Sequence, residues 1–305
     1  EALEYSRIHN AVGAAGATRR ALMEAASWAT HREAFGNNIV QYPMVQNELV
    51  DLMLKSEAST ALAFEAAKTF DVALKDETQR PWLRLATALA KYRTAEDAVQ
   101  SSKKALEIVG GNGYTEEFPT ARLLRDAMVL TVWEGPANIQ ALELLRMVAS
   151  KEPGDKIFTD KIKDISANLP ANMTVEKQLL DKGLAQAEKA LAYLRANPAD
   201  GQRFARKLMD HMSDVLSGAL LAEEAGHDLR NGDARKALIA RKYLEKSFGD
   251  KAFTLSADKD PAHVHFDALL HYKRIAPTAL GYAPANDDSK QKPVCNKPPQ
   301  PKQGG

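Results

Sequence analysis

Three long stretches, residues 4–34, 44–74 and 81–109, repeat apolar side chains at three- and four-residue spacing between glycine- and proline-bearing breaks. A helix of such a length runs roughly 45 Å, about two to three times the usual length. It can bury a continuous apolar stripe only along neighbours as long as itself, so the sequence predicts an all-α fold, a long-helix up-down bundle. On the first helix Ile8, Val12, Ala15, Leu22, Ala26 and Ala29 share one stripe, with alanine elsewhere favouring helix. "FGNNIVQYP" breaks it at 35–43. Val45, Leu49 and Leu52 lead the second helix, and "KDETQRP" ends it. Pro81 opens the third, whose predicted buried face is Leu85, Leu89, Tyr92, Val99, Leu106 and Val109. "GGNGYTEEFP" (110–119) reads as a loop after a glycine stop, and Pro119 starts a short helix to about Thr131. Pro136 takes the first position of a last helix, with Ile139, Leu142, Leu145 and Val148 as its apolar repeat. No stretch reads as a strand.

The bundle closes near Ser150, and "KEPGD" (151–155) marks a boundary. Beyond it, 172–196, 199–230, 234–248 and 261–275 read as helices, so 151–282 is expected to form an additional helical domain. The stretch 283–305 carries five of the prolines and few apolar residues, the composition of a disordered tail. There is no internal repeat.

Charge excludes more than it assigns. The chain holds 41 basic and 40 acidic residues, a balance that announces no nucleic-acid or membrane partner. "RNGDARKALIARKYLEK" (230–246) groups Arg230, Arg235, Lys236, Arg241, Lys242 and Lys246, which reads as an ordinary solvated face without interleaved aromatics. One cysteine, Cys295, allows no internal disulfide, suits a reducing compartment and has no histidine partner to make it a nucleophile. His263, His265 and His271 are not on one helix face and have no acid trio beside them, so no metal is expected. No apolar run approaches the ~18 residues of a membrane span and no signal peptide opens the chain. A cytoplasmic location is expected, or the mitochondrial matrix in a eukaryote.

One acid then stands out. In "MVLTVWEGPANIQ" (128–140) Glu134 lies between an apolar run ending in Trp133 and the start of a helix. Alone, it reads as a loop acid near a positive helix end. Three further stretches, "SRIHNAVGAAG" (6–16), "HREAFG" (31–36) and "ALEIVGGNGY" (105–114), accompany it in order. Their order and separations make residues 4–150 resemble the C-terminal helical domain of the flavin-dependent acyl-CoA dehydrogenases.

That resemblance implies FAD as cofactor, an acyl-CoA thioester as substrate, and Glu134 as the base that removes the proton next to the thioester carbonyl. A carboxylate suits this work when water is kept away from it, and Trp133, Val132 and a bound acyl chain are the candidates to do so. Arg7 matches the family's arginine near the base, where it would keep the glutamate ionised. Arg32 and Phe35 match an arginine-x-x-Phe-Gly turn that reaches the flavin of a neighbouring subunit. Gly110 and Gly111 match the turn against its ADP portion, where missing side chains permit close backbone approach. Glu107, Gly135, Pro136 and Asn138 fall at further cofactor-facing positions. A compact site also requires Glu134 to lie close to Arg7 and to the glycine turn at 110–113. The resemblance implies a homodimer or homotetramer, electron transfer to an electron-transfer flavoprotein, and further domains before this bundle without which the chain alone is inactive.

Three residues depart from the common pattern. Glu107 and Pro43 stand where most members carry glutamine, and Pro136 replaces a Thr or Ser. With the Trp-Glu-Gly triplet, these details look closer to the alkylation-response homologues. That branch makes a DNA-associated flavoprotein with weak dehydrogenase activity the alternative reading.

Overall fold

The computed structural model describes residues 2–149, 154–250 and 260–283. Four helices of about 30 residues dominate it: α1 (Ala2–His31), α2 (Pro43–Ala73), α3 (Arg80–Val109) and, later in the chain, α9 (Gly201–Arg230). A two-residue antiparallel hairpin, β1 (Glu33–Ala34) and β2 (Asn37–Asn38), turns the chain between α1 and α2. This is a small correction to a strandless reading. Phe35 at φ 53° and Gly36 at φ 89° form its tip, where Gly36 adopts the left-handed backbone at no steric cost.

Alanine determines how the first three helices pack. α1 buries Ala11, Ala14, Ala21 and Ala25, and α3 buries Ala88, Ala95, Ala98 and Ala105. Small side chains let the two backbones approach closely, while larger residues on other faces, such as Leu49 and Leu52 of α2, fill the remaining space. Pro43 and Pro81 fall in the first turns of α2 and α3, where a missing backbone N–H costs nothing.

After α3, Gly111–Tyr114 forms one helical turn, α4, within the stretch expected to be loop. α5 (Pro119–Val132) and α6 (Ala137–Ala149) follow. The apolar repeat expected on α6 is offset by one residue. Its buried face is Gln140, Ala141, Leu144, Met147 and Val148, whereas Ile139 is 42 % exposed. Pro136 precedes this helix, and its carbonyl accepts from Ile139 N at 2.8 Å and Gln140 N at 3.2 Å.

The second half contains α7 (Gly154–Asn168), α8 (Thr174–Ala196), α9 and α10 (Arg235–Phe248). α7 is an element the sequence reading missed, although Phe158, Ile162 and Ile165 sit at helical spacing and are all buried. The expected helix over 261–275 is instead two short pieces, α11 (Pro261–Val264) and α12 (Phe266–Leu270), broken at His265. Much of the "KEPGD" boundary, the stretch 284–305 and Cys295 lie outside the described residues.

The halves bury one another's apolar faces. One core joins Ile8, Leu89 and Leu144 to Phe158, Leu184, Met212 and Phe248, and a second joins Leu22 and Met53 to Leu221, Leu238 and Tyr282. No helix among the described residues is long and apolar enough to cross a membrane.

Candidate active site

Glu134 sits at a sharp reversal between α5 and α6. Trp133 is extended, and Glu134 and Gly135 follow at φ 55° and 93°. A left-handed conformation is disfavoured for glutamate and persists only where surroundings hold it. Here four side chains do so. Arg7 Nε donates to the Glu134 carbonyl at 3.1 Å, and Gln140 Nε2 donates to both the Glu134 and Gly135 carbonyls at 3.0 Å. Lys91 Nζ donates to the Gly135 carbonyl at 2.9 Å, and Asn10 Nδ2 to Leu130 O at 3.0 Å. The Asn10 bond also satisfies the end of α5, whose final carbonyls have no partner within the helix. Lys91 further lies 3.5 Å from Thr131 O.

The carboxylate itself has a different partner. Ser6 Oγ donates to Glu134 Oε2 at 2.6 Å. The Glu134 residue is half-buried, not in open solvent. Arg7, matched to a cation beside the base, holds the backbone of Glu134 rather than its carboxylate. Trp133 and Val132, expected to shield the acid, are 49 % and 64 % exposed and lie with Met128 and Val129 on an uncovered apolar stripe of α5. Buried Lys91 experiences strong desolvation, which pushes its ammonium down to about 8. Arg7 adds to that push, and Glu134 and Glu96 oppose it.

The remaining residues singled out by resemblance gather at the far end of the bundle. Arg32 and Phe35 occupy the hairpin, and Phe35 is 98 % exposed. Gly110 caps α3 at φ 76°, and an added Cβ at Gly110 or Gly111 meets nothing within 4 Å. Glu107 is engaged by Lys103 at 2.6 Å and Lys104 at 3.2 Å. His31 and Val109 line one small cleft, which brings the ends of α1 and α3 together. Asn138 lies near Glu134 instead, and its Oδ1 accepts from Arg206 of α9 at 3.3 Å. Counting along α3 from Lys91, the glycine turn is roughly 28 Å from the glutamate turn. The expectation that Glu134 lies close to it is not met, because α3 is a continuous helix between the two.

Ser6, Lys91 and Gln140 were missed in the sequence. Gln140 and Ser6 lie within the quoted motifs, so nothing but attention to the acid hid them. Lys91 had a signal of its own, a lysine between Ala88 and Ala95 on the face that α3 buries.

The basic run at 230–246 was expected to be a solvated face, and the structure corrects this. Arg235 and Lys236 pair with buried Glu57, both at 2.7 Å, and Arg241 pairs with buried Glu176 at 2.8 Å. Lys242 meets Asp260 and Lys246 meets Asp51, each at 2.7 Å. Arg235, Lys236 and Arg241 are thus spent on carboxylates inside the fold. His263 Nε2 bonds Asn47 at 2.7 Å, His271 pairs with Asp267, and no metal-binding trio gathers among the described residues.

An all-helical bundle whose last two helices present a glutamate on a clamped left-handed turn has the architecture of the acyl-CoA dehydrogenase C-terminal domain. The acyl-CoA dehydrogenase C-terminal domain matches residues 1–149, so that part of the chain is similar to the acyl-CoA dehydrogenases. Among particular relatives, acyl-CoA dehydrogenase family member 11 of Caenorhabditis elegans is 29 % identical over 233 residues, covering 73 % of this chain and 38 % of the relative. Putative acyl-CoA dehydrogenase AidB of Escherichia coli is 36 % identical over 149 residues, 49 % of this chain and 27 % of its own length. The crystal structure of C. elegans ACDH-11 in complex with C11-CoA superposes with a TM-score of 0.76 at 26 % identity, over 88 % of this chain and 47 % of that one. The likeness to ACDH-11 therefore covers most of the chain and reaches into its second half. The chain spans less than half the length of these relatives.

Proposed function

We propose that this chain is the base-bearing part of an FAD-dependent acyl-CoA dehydrogenase, with Glu134 as the base. What supports the reading most is the way Glu134 is presented: a half-buried carboxylate on a strained turn, fixed by Arg7, Lys91 and Gln140, beside an uncovered apolar stripe. The stripe of Met128, Val129, Val132 and Trp133 is the kind of surface an acyl chain or a covering domain would close. Relatives longer than this chain have the length to supply that cover.

Ser6 occupies Oε2, so Oε1 is the oxygen directed to the substrate proton. With a thioester in place, Glu134 takes the proton from the carbon next to the carbonyl. Loss of that proton and of a hydride from the neighbouring carbon leaves a carbon–carbon double bond, a two-electron oxidation. Bound FAD would supply the hydride acceptor. Closing the apolar face excludes water from Glu134. Arg7 and Gln140 keep the turn from relaxing while this happens.

The far end of the bundle has features that fit a cofactor. Gly110 and Gly111 offer backbone with open space in front of it, Arg32 is an exposed guanidinium suited to phosphate, and Phe35 presents an uncovered ring. Glu107 fits less well, because two lysines hold its carboxylate. The separation of these residues from Glu134 along α3 supports a role toward the cofactor of a second subunit, in a homodimer or dimer of dimers. An electron-transfer flavoprotein would take up the electrons. The C. elegans relative's complex with C11-CoA supports an acyl-CoA as the substrate class.

The test is Glu134→Gln in the full-length flavoprotein. Flavin content is expected to stay unchanged, while bleaching of the flavin band by an acyl-CoA slows by at least about 100-fold. A variant that bleaches like its parent places the base elsewhere.

A further inference from the structure

Lys91 is 1 % exposed, among the largest fully buried side chains of the described residues. Lysines are buried to this extent only when their ammonium is held by specific partners. Ala88 and Ala95, one helical turn to either side, are 0 % and 2 % exposed, so the lysine leaves α3 on a face packed with small side chains. Its head ends on Gly135 O at 2.9 Å and faces Thr131 O at 3.5 Å. Among the donors on this turn, Arg7 and Gln140 touch only the carbonyls of Glu134 and Gly135, and Asn10 touches only α5. Lys91 alone reaches both. The charged groups that act on it are Arg7 from α1, Glu134 from the turn and Glu96 from its own helix. A lone structural cap would need no such juxtaposition with a carboxylate.

We propose that Lys91 is the positioning residue of this site: its buried ammonium pins the Gly135 carbonyl to the end of α5, thereby fixing where Glu134 presents its carboxylate, and its charge keeps that carboxylate ready to accept a proton. The proposal rests on Glu134 being the base. Because burial brings Lys91 down to about 8, the ammonium carries charge at neutral pH and titrates within reach of a stability experiment.

Two measurements test it. In the full-length flavoprotein, Lys91→Met is expected to lower kcat roughly 10- to 100-fold with KM changed less than about twofold. The acid limb of its pH–rate profile moves to higher pH, because the nearby positive charge is gone. Lys91→Arg, which keeps charge and donors, recovers most of both. A residue that only filled space would lower kcat without moving the limb. The second measurement needs no flavin: urea unfolding of this chain from pH 7 to 10.5. A lysine at about 8 folded and 10.5 unfolded binds its proton more tightly in the unfolded chain. Wild type therefore gains stability relative to Lys91→Met as pH rises through that window. A constant difference between the two proteins across the window overturns the buried ammonium. An unmoved acid limb, or an unchanged kcat in Lys91→Met beside an inactive Glu134→Gln, overturns the positioning role while leaving Glu134 as base. Turnover by Glu134→Gln like the parent removes the base itself, which is a separate failure.

Discussion

Replacing Gly135 by alanine probes the turn that presents Glu134 without touching any group that contacts substrate. Two costs add. At φ 93° any L side chain is strained, by about 1–2 kcal/mol. In addition, the new Cβ would lie 2.9 Å from Gln140 Nε2 and 3.1 Å from Ile139 Cγ2. Ile139 is partly exposed and can give way. Gln140 is 0 % exposed and cannot, so its bonds to the Glu134 and Gly135 carbonyls lengthen or break, at about 1 kcal/mol each. The expected total is about 2–4 kcal/mol. Gly110 supplies the control, because it has φ 76° with nothing within 4 Å of an added Cβ. Gly110→Ala should therefore lose only the backbone part, about 1–2 kcal/mol.

Urea unfolding of the two variants at neutral pH reads the difference directly. Flavin bleaching in the full-length protein reads its consequence. Gly135→Ala is expected to retain flavin and lose at least about tenfold in bleaching rate, since small displacements of a catalytic group are costly. Equal stability losses in the two variants, together with parental bleaching in Gly135→Ala, would falsify the idea that Gln140 and a glycine-specific turn fix the glutamate.

Three further outcomes follow from the contacts between the halves. Arg235→Met leaves Glu57 with one cation instead of two at a position where both side chains are about a tenth exposed or less, and should cost about 3 kcal/mol in urea unfolding. Burial raises the Glu57 carboxyl, but the Arg235 fork and Lys236 outweigh it and hold the group below its ordinary value of 4.5. The stability it contributes is present above the unfolded value and is lost as pH falls through the lower folded one, so Glu57→Gln should flatten the acid side of the stability curve. Truncation after Ala149 uncovers Leu89, Leu144 and Met147, which pack against Phe158, Leu184 and Met212; the shortened chain should aggregate or bind a hydrophobic dye in light scattering and fluorescence, and a soluble, cooperatively unfolding 1–149 fragment would contradict the shared core.

The fold was legible where local rules act alone. Long runs of helical period bounded by Pro43, Pro81 and Gly110 gave helices whose ends agree with the structure within a few residues. Local rules failed where packing decides. The buried face of α6 is offset from the apolar repeat because Gln140 turns inward to bond the Glu134 and Gly135 carbonyls, which brings a polar residue inside and leaves Ile139 at the rim. The basic run at 230–246 looks solvated in one dimension because its partners, Glu57, Glu176 and Asp51, come from other helices. The helix predicted over 261–275 breaks at His265, whose φ and ψ of −105° and 20° lie outside the helical well, and no glycine or proline there announces it.

The candidate site shows the same division more sharply. Glu134 was visible because a motif carries it, yet its surroundings come from four separate stretches: Ser6, Arg7 and Asn10 on α1, Lys91 on α3, the end of α5, and Gln140 on α6. Sequence separations of more than 120 residues join Ser6 and Arg7 to Glu134. Such pairs leave a trace only as polar residues at positions where a buried helix face expects apolar ones. Asn10 is 2 % exposed, Lys91 1 % and Gln140 0 %. Burying three such groups is unfavourable unless each is bonded, and all three donate to the backbone of one short segment, residues 130–135. Stability alone would favour leucine and alanine at these positions. That three interior polar residues from three helices converge on the turn carrying Glu134 is the physical reason to place the chemistry there.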